Sequence, residues 1–183
     1  MNITKTKLFK TFFISSFFLF GFAGITNACD YFISPTGNNG NSGITIDKPW
    51  KTITHANSRL TAGDTVCLRV GTYSGQQIKP RNSGTSVNYI TYTSYPGEKA
   101  IVGEPVITNS TLFYVAYFLE NVNYIKIDNI RFANIGSYFG ELKNAEYCVI
   151  QNNEFYNSQS YGGTKVGWLN NYSISAPLAT NKE

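Results

Sequence analysis

The sequence predicts an all-β chain built as a solenoid of short stacked strands, with one short helix near its N-terminal end. Three observations predict it. First, the segment Tyr124–Asn134 returns as Tyr147–Asn157, an offset of 147 − 124 = 23 residues. Second, nothing after residue 63 reads as a long helix; short apolar runs alternate with Gly, Asn and Pro corners. Third, only 14% of residues are charged while 15% are aromatic, and Asn, Ser, Thr and Gly abound. That composition suits strands joined by many turns. On pattern alone a β-sandwich stays open, because two copies make a short series.

The first 28 residues are expected to be a secretory signal peptide. Lys5, Lys7 and Lys10 supply a positive start, Thr11 to Ile25 is an uncharged run rich in Phe, Ile and Leu, and Thr26-Asn27-Ala28 supplies a small-residue cleavage site. The apolar run is short for a membrane span, so no span is expected after cleavage. Localisation is therefore expected to be secreted, periplasmic or extracellular. A lipoprotein anchored at Cys29 is the minor alternative, since Thr26 departs from the lipid-attachment pattern. Cleavage leaves 12 Lys and Arg against 11 Asp and Glu, a net charge of +1. No charge argument for nucleic acid or an anionic membrane survives that loss.

Residues 29–63 are expected to hold a first strand, a loop and a helix. Tyr31-Phe32-Ile33 reads as the strand and Gly37 to Gly43 as the loop. From Pro49 to Leu60, the residues Trp50, Ile53, Ala56 and Leu60 recur at helical spacing, so a short amphipathic helix is expected there. His55 lies off that stripe and reads as solvated. Residues 64–183 are expected to be solenoid rungs. Their strands are read at Thr65–Val70, Tyr89–Tyr95, Ala100–Val102, Leu112–Leu119, Tyr124–Ile127 and Tyr147–Ile150, with Gly71–Gly75 as turn punctuation. Trp168 to Glu183 shows no clear third copy, so the C-terminal end is read as incomplete. An open last rung would favour self-association. Cys67 and Cys148 read as small buried residues, although export would permit a disulfide among Cys29, Cys67 and Cys148.

The repeat makes specific demands. Rungs stack about 4.8 Å apart through parallel hydrogen bonds. Inward columns are then Ile125 over Cys148, Ile127 over Ile150 and Phe132 over Phe155. Outward columns are Tyr124, Lys126 and Asp128 over Tyr147, Val149 and Gln151. Asn129 and Asn152 fall at a corner, where Asn tolerates left-handed backbone and can bond the same amide one rung away. Arg131 and Glu154 align as surface neighbours.

The N-terminal half carries a further signal. The run Tyr31-Phe32-Ile33-Ser34-Pro35-Thr36-Gly37 is followed by Lys48-Pro49-Trp50-Lys51-Thr52-Ile53, Ala62-Gly63-Asp64-Thr65-Val66, Gly71-Thr72-Tyr73 and Tyr95-Pro96-Gly97-Glu98. This ordered series resembles the opening of secreted right-handed parallel β-helix proteins of the pectate-lyase-like superfamily, most closely those of the polysaccharide lyase family 9 type. The resemblance covers roughly residues 31–157. It implies a right-handed parallel β-helix capped by the short helix, and a polysaccharide partner.

The same resemblance implies β-elimination on an acidic sugar, with calcium held by carboxylates and a Lys or Arg as base. Lys126 and Asp128 share an outward strand face and are the weak catalytic candidates. Tyr124, Tyr147 and Arg131 are the weak substrate-binding candidates. The neighbouring rung supplies Val149 and Gln151 at the matched positions, so no carboxylate cluster forms. No metal ligand set or cofactor is evident, and calcium would bind only if residues outside this chain completed the site. The two functional expectations are a protein acting on or binding acidic polysaccharide, incomplete as a catalyst, and a non-catalytic glycan-binding or adhesion β-helix.

Overall fold

The computed structural model describes residues 29–105, 115–136, 139–158, 164–166 and 173–175. The expected leader, the start of the strand expected at Leu112 and most of the tail from Trp168 lie outside the described residues.

Every strand pairing among the described residues is parallel. Parallel partners need a long connection, and here each connection passes through the other faces of a coil. One sheet has the order β1 (Tyr31–Ile33), β2 (Thr65–Leu68), β4 (Ile90–Ser94), β7 (Ile125–Asp128), β10 (Val149–Gln151) and β13 (Ser173–Ser175). The second runs β3 (Gly71–Tyr73), β5 (Ala100–Gly103), β8 (Arg131–Ile135), β11 (Glu154–Ser158). The third is β6 (Tyr117–Glu120), β9 (Gly140–Lys143), β12 (Thr164–Val166). The chain is a parallel β-solenoid of three faces.

The core is made of vertical columns. Val66, Tyr92, Ile127 and Ile150 follow one another up the first sheet, and Tyr73, Val102, Phe132 and Phe155 up the second. The first seven of these are fully buried, each worth roughly 1.5–3 kcal/mol for a large apolar side chain. The expected Ile127–Ile150 and Phe132–Phe155 pairs are in register, and the two Phe rings stack at 5.5 Å. Gly140 faces Tyr117 one rung below, and a Cβ there would fall inside the Tyr117 ring. The interior is thus closed by a large residue set over the smallest one.

The corners follow the same offset. Eight non-glycine residues have left-handed backbone among those described, and they form four pairs: Asn121 and Asn144, Tyr124 and Tyr147, Asn129 and Asn152, Asn134 and Asn157. Asn adopts this conformation through short local hydrogen bonds. The amides of Asn144 and Asn157 each donate to the Asn one rung before, both at 2.8 Å across 23 residues. The Asn129–Asn152 ladder read from the sequence does not form. Asn152 Nδ2 donates to Asp128 Oδ1 instead, and Asn129 Oδ1 accepts from Lys99 Nζ. A stronger acceptor and a stronger donor displace the amide pair.

Three other expectations change. The helix read over Pro49–Leu60 contracts to α1 (Ile53–Asn57). Trp50 forms a parallel bridge to Ile33, because its N–H and C=O bond Phe32 and Ser34, and Thr52 becomes the N-cap, its hydroxyl accepting the His55 N–H at 3.1 Å. The four residues of the apolar stripe, Trp50, Ile53, Ala56 and Leu60, all enter the core. Gly71–Tyr73, read as a turn, is strand β3. Cys67 is buried as read but bonded to Cys29 in a disulfide with Cα atoms 5.5 Å apart, leaving Cys148 as a free buried thiol. Beyond the second copy, Ser173–Ser175 pairs in parallel with β10, Ile174 opposite Ile150 at a 24-residue step. None of the described helices is long and apolar enough to cross a membrane.

Candidate functional site

Alternation along β7 puts Lys126 and Asp128 on the outer face, flanked by Thr91 and Thr93 below and Val149 and Gln151 above. The two side chains meet, Lys126 Nζ lying 3.0 Å from Asp128 Oδ2. Gln151 Nε2 donates to the same oxygen at 3.1 Å, and Asn152 Nδ2 donates to Oδ1 at 2.8 Å. Burial pushes the Asp128 carboxyl up. The hydrogen bonds from Asn152, Lys126 and Gln151 and the Lys126 charge outweigh it, so the net direction is down. The two form a partly exposed ion pair, with the Lys126 ammonium held beside the Asp128 carboxylate.

This donor set does not fit calcium. A calcium ion takes six to eight oxygens. Both Asp128 oxygens already receive donors, a cationic ammonium sits beside them, and the same column offers Thr93 and Gln151 rather than a second carboxylate. No group of three or more His, Cys, Asp or Glu gathers among the described residues.

Tyr124 and Tyr147 stack on each other, ring centres 4.8 Å apart and nearly parallel at 5°. Tyr89 stands perpendicular to Tyr124 at 5.7 Å. Both stacked residues have left-handed backbone, with φ of 57° and 54°, which bulky residues adopt only where their surroundings hold them. The stack supplies that hold. It also spends one face of each ring, so these tyrosines offer a sugar their edges and only a remaining face of Tyr147, which is 40% exposed.

Arg131 meets Glu154 as the alignment requires, Nη2 and Nε both 2.6 Å from Oε2. Lys99 closes on the other oxygen at 3.2 Å. The Arg131 hydrogen bond holds the Glu154 carboxyl below its ordinary range. Arg131 is therefore occupied by its neighbour rather than turned free to solvent.

Three sets of polar contacts were not read from the sequence. Glu120 accepts from Lys143 at 2.8 Å across the same 23 residues, so extending the repeat to the third face would have found it. Arg69 grips Glu98 through Nε and Nη2, with Val70 N–H also donating, which explains the Glu98 of the N-terminal motif series. The Arg69 hydrogen bond holds that carboxyl low. His55 packs 5.1 Å from the Trp50 ring, and burial followed by the Arg59 charge lowers its pKa. No periodic signal announces the last two.

Comparison with known proteins agrees with the parallel β-solenoid fold. The chain is 35% identical over 82 residues to the uncharacterised protein YwoF of Bacillus subtilis, covering 44% of this chain and 17% of that one. It is 38% identical over 76 residues to pectate lyase PEL9 of Emericella nidulans, covering 41% and 18%. A solved rhamnogalacturonan lyase superposes with a TM-score of 0.60 at 17% identity, over 72% of this chain and 37% of that one. The matched stretch thus spans less than a fifth of the two curated relatives, and the solved lyase is alike in fold. Residues 31–176 match the family described as Pel9A-like, right handed beta helix region; the chain belongs to that Pel9A-like right-handed β-helix family.

Proposed function

We propose that this chain is exported and that its β-helix engages acidic polysaccharide. Membership of the Pel9A-like family over residues 31–176 is the observation that carries the reading, supported by the pectate lyase among its relatives. Export is supported by the leader pattern of residues 1–28 and by the Cys29–Cys67 disulfide. Disulfides persist in oxidising compartments. The bond also favours a free secreted chain over a lipoprotein, because the Cys29 sulfur is already committed.

Engagement is read as binding rather than cleavage. Lys126 is held by Asp128, and Asp128 is filled by three donors, so neither the base nor the metal ligand that β-elimination requires is available from this pair. The test is incubation of the folded chain with polygalacturonate and calcium. Sedimentation with the polymer is expected, without the ultraviolet-absorbing unsaturated ends that β-elimination makes. Appearance of those ends, abolished in Lys126→Ala, would establish the lyase reading instead. No association with any uronate polymer would sink both.

A further inference from the structure

A cleft of about 530 Å³ opens beside α1, lined by Thr54, Asn57, Gln77, Lys79, Arg81 and Glu120 among others. Its size falls within the range of small-ligand sites. The polar groups at its base are tied to the protein. The buried Asn57 amide donates to Gln77 O at 2.9 Å, its oxygen accepts from Tyr92 Oη at 3.0 Å, and its carbonyl accepts the Arg81 N–H at 3.0 Å. Gln77 Nε2 is anchored in turn to Val115 O. These bonds fix the cleft in shape without using the charged side chains around it.

Those side chains are unevenly matched. Glu120 belongs to Lys143, whose hydrogen bond holds its carboxyl low, and Lys79 is only a distant partner at 4.0 Å. The Lys79 ammonium rests 4.6 Å over the Phe118 ring, still 49% exposed. Arg81 engages the protein through its backbone N–H, and its guanidinium has no carboxylate partner among the described residues. Lys79 and Arg81 flank the buried Pro80 and line the same cleft. A guanidinium fork matches a carboxylate bidentately, and a nearby ammonium adds a point charge.

We propose that this cleft is a subsite for one acidic sugar residue, with Arg81 gripping the carboxylate, Lys79 beside it, and Thr54, Gln77 and Asn121 facing the ring hydroxyls. The proposal rests on the acidic-polysaccharide reading and gives it a place on the chain, away from Lys126 and Asp128.

The test is calorimetric titration of the disulfide-intact chain with tetragalacturonate at low salt. Lys79→Gln and Arg81→Gln should each weaken binding by about tenfold or more. Lys48→Gln and Lys51→Gln, which remove the same charge outside the lining of this cleft, should leave it unchanged. The uncharged galactose tetramer should bind all forms alike. If the wild type binds tetragalacturonate and the folded double variant binds as tightly, the cleft is overturned while the acidic-polysaccharide reading stands. If the wild type binds neither the tetramer nor the polymer, both fall. The single variants decide the matter should the double variant melt early.

Discussion

The N-terminal rungs and the rungs from Tyr117 onward obey different rules. From Tyr117 to Asn157, like stands on like at a 23-residue step: Phe132 on Phe155, Tyr124 on Tyr147, Asn144 on Asn121 and Asn157 on Asn134. In the earlier part the step is uneven. Ser94 reaches Asn129 across 35 residues, and Arg69 reaches Glu98 across 29. Single, unrepeated bonds hold those rungs: a disulfide over 38 residues, a bidentate ion pair, and the Asn39 carboxamide oxygen receiving the N–H groups of Lys51 and Thr52. A repeat spreads stability over many equal contacts, as expected where rungs touch only their neighbours. An irregular opening concentrates it in a few individual bonds.

Four measurements would break or sharpen this contrast. The largest effect is expected for Phe132→Ala, which empties a site between Tyr117 and Phe155. About 4 kcal/mol should be lost in denaturant unfolding; a loss under 1 kcal/mol would mean the columns do not carry the later rungs. Next comes Cys67→Ser with Cys29→Ser. Opening a 38-residue loop should cost about 3 kcal/mol, and reducing agent should destabilise the wild type to match, leaving the double variant indifferent.

Glu98→Gln is expected to cost about 1 kcal/mol, since the pair is bidentate but partly solvated. Its pH dependence has a definite sign. The folded carboxyl titrates below its ordinary 4.5. The stabilisation is therefore fully present above that value and disappears as pH falls through the lowered one. The variant should lose less stability than the wild type over that acid range, which chemical denaturation at stepped pH will read. The smallest effect is expected for Arg131→Ala, about 0–1 kcal/mol, because the exposed Glu154 keeps Lys99 as a second partner.

What the sequence made legible divides along the same line. The register of Ile127 with Ile150, Phe132 with Phe155 and Arg131 with Glu154 followed from one offset, because stacking forces equal positions into contact. The early strands β1, β2 and β4 were visible by β-propensity, yet not their pairing, since loops of unequal length hide the step. The helix was read too long because Trp50 satisfies the same apolar spacing whether it sits in a helix or bridges Ile33. At the candidate site, the shared face of Lys126 and Asp128 was evident from alternation. That Asn152 would leave its own ladder for the Asp128 carboxylate was not, because both acceptors lie within reach of one side chain. The cleft of Lys79 and Arg81 was hidden for a plainer reason: its members come from three separate stretches, and the two cations belong to none of the 23-residue copies.

The Cys29–Cys67 bond also gives the fold a direction in time. Its two halves are made before any 23-residue rung exists, and the loop between them contains Trp50 and α1. Once closed, it holds β1 against β2 and presents the β2 edge as a finished template. The later strands of that sheet then follow in chain order, β4, β7, β10 and β13, each on the one before. The bond's consequence is thus a fixed beginning: the sheet starts from two strands that are covalently tied.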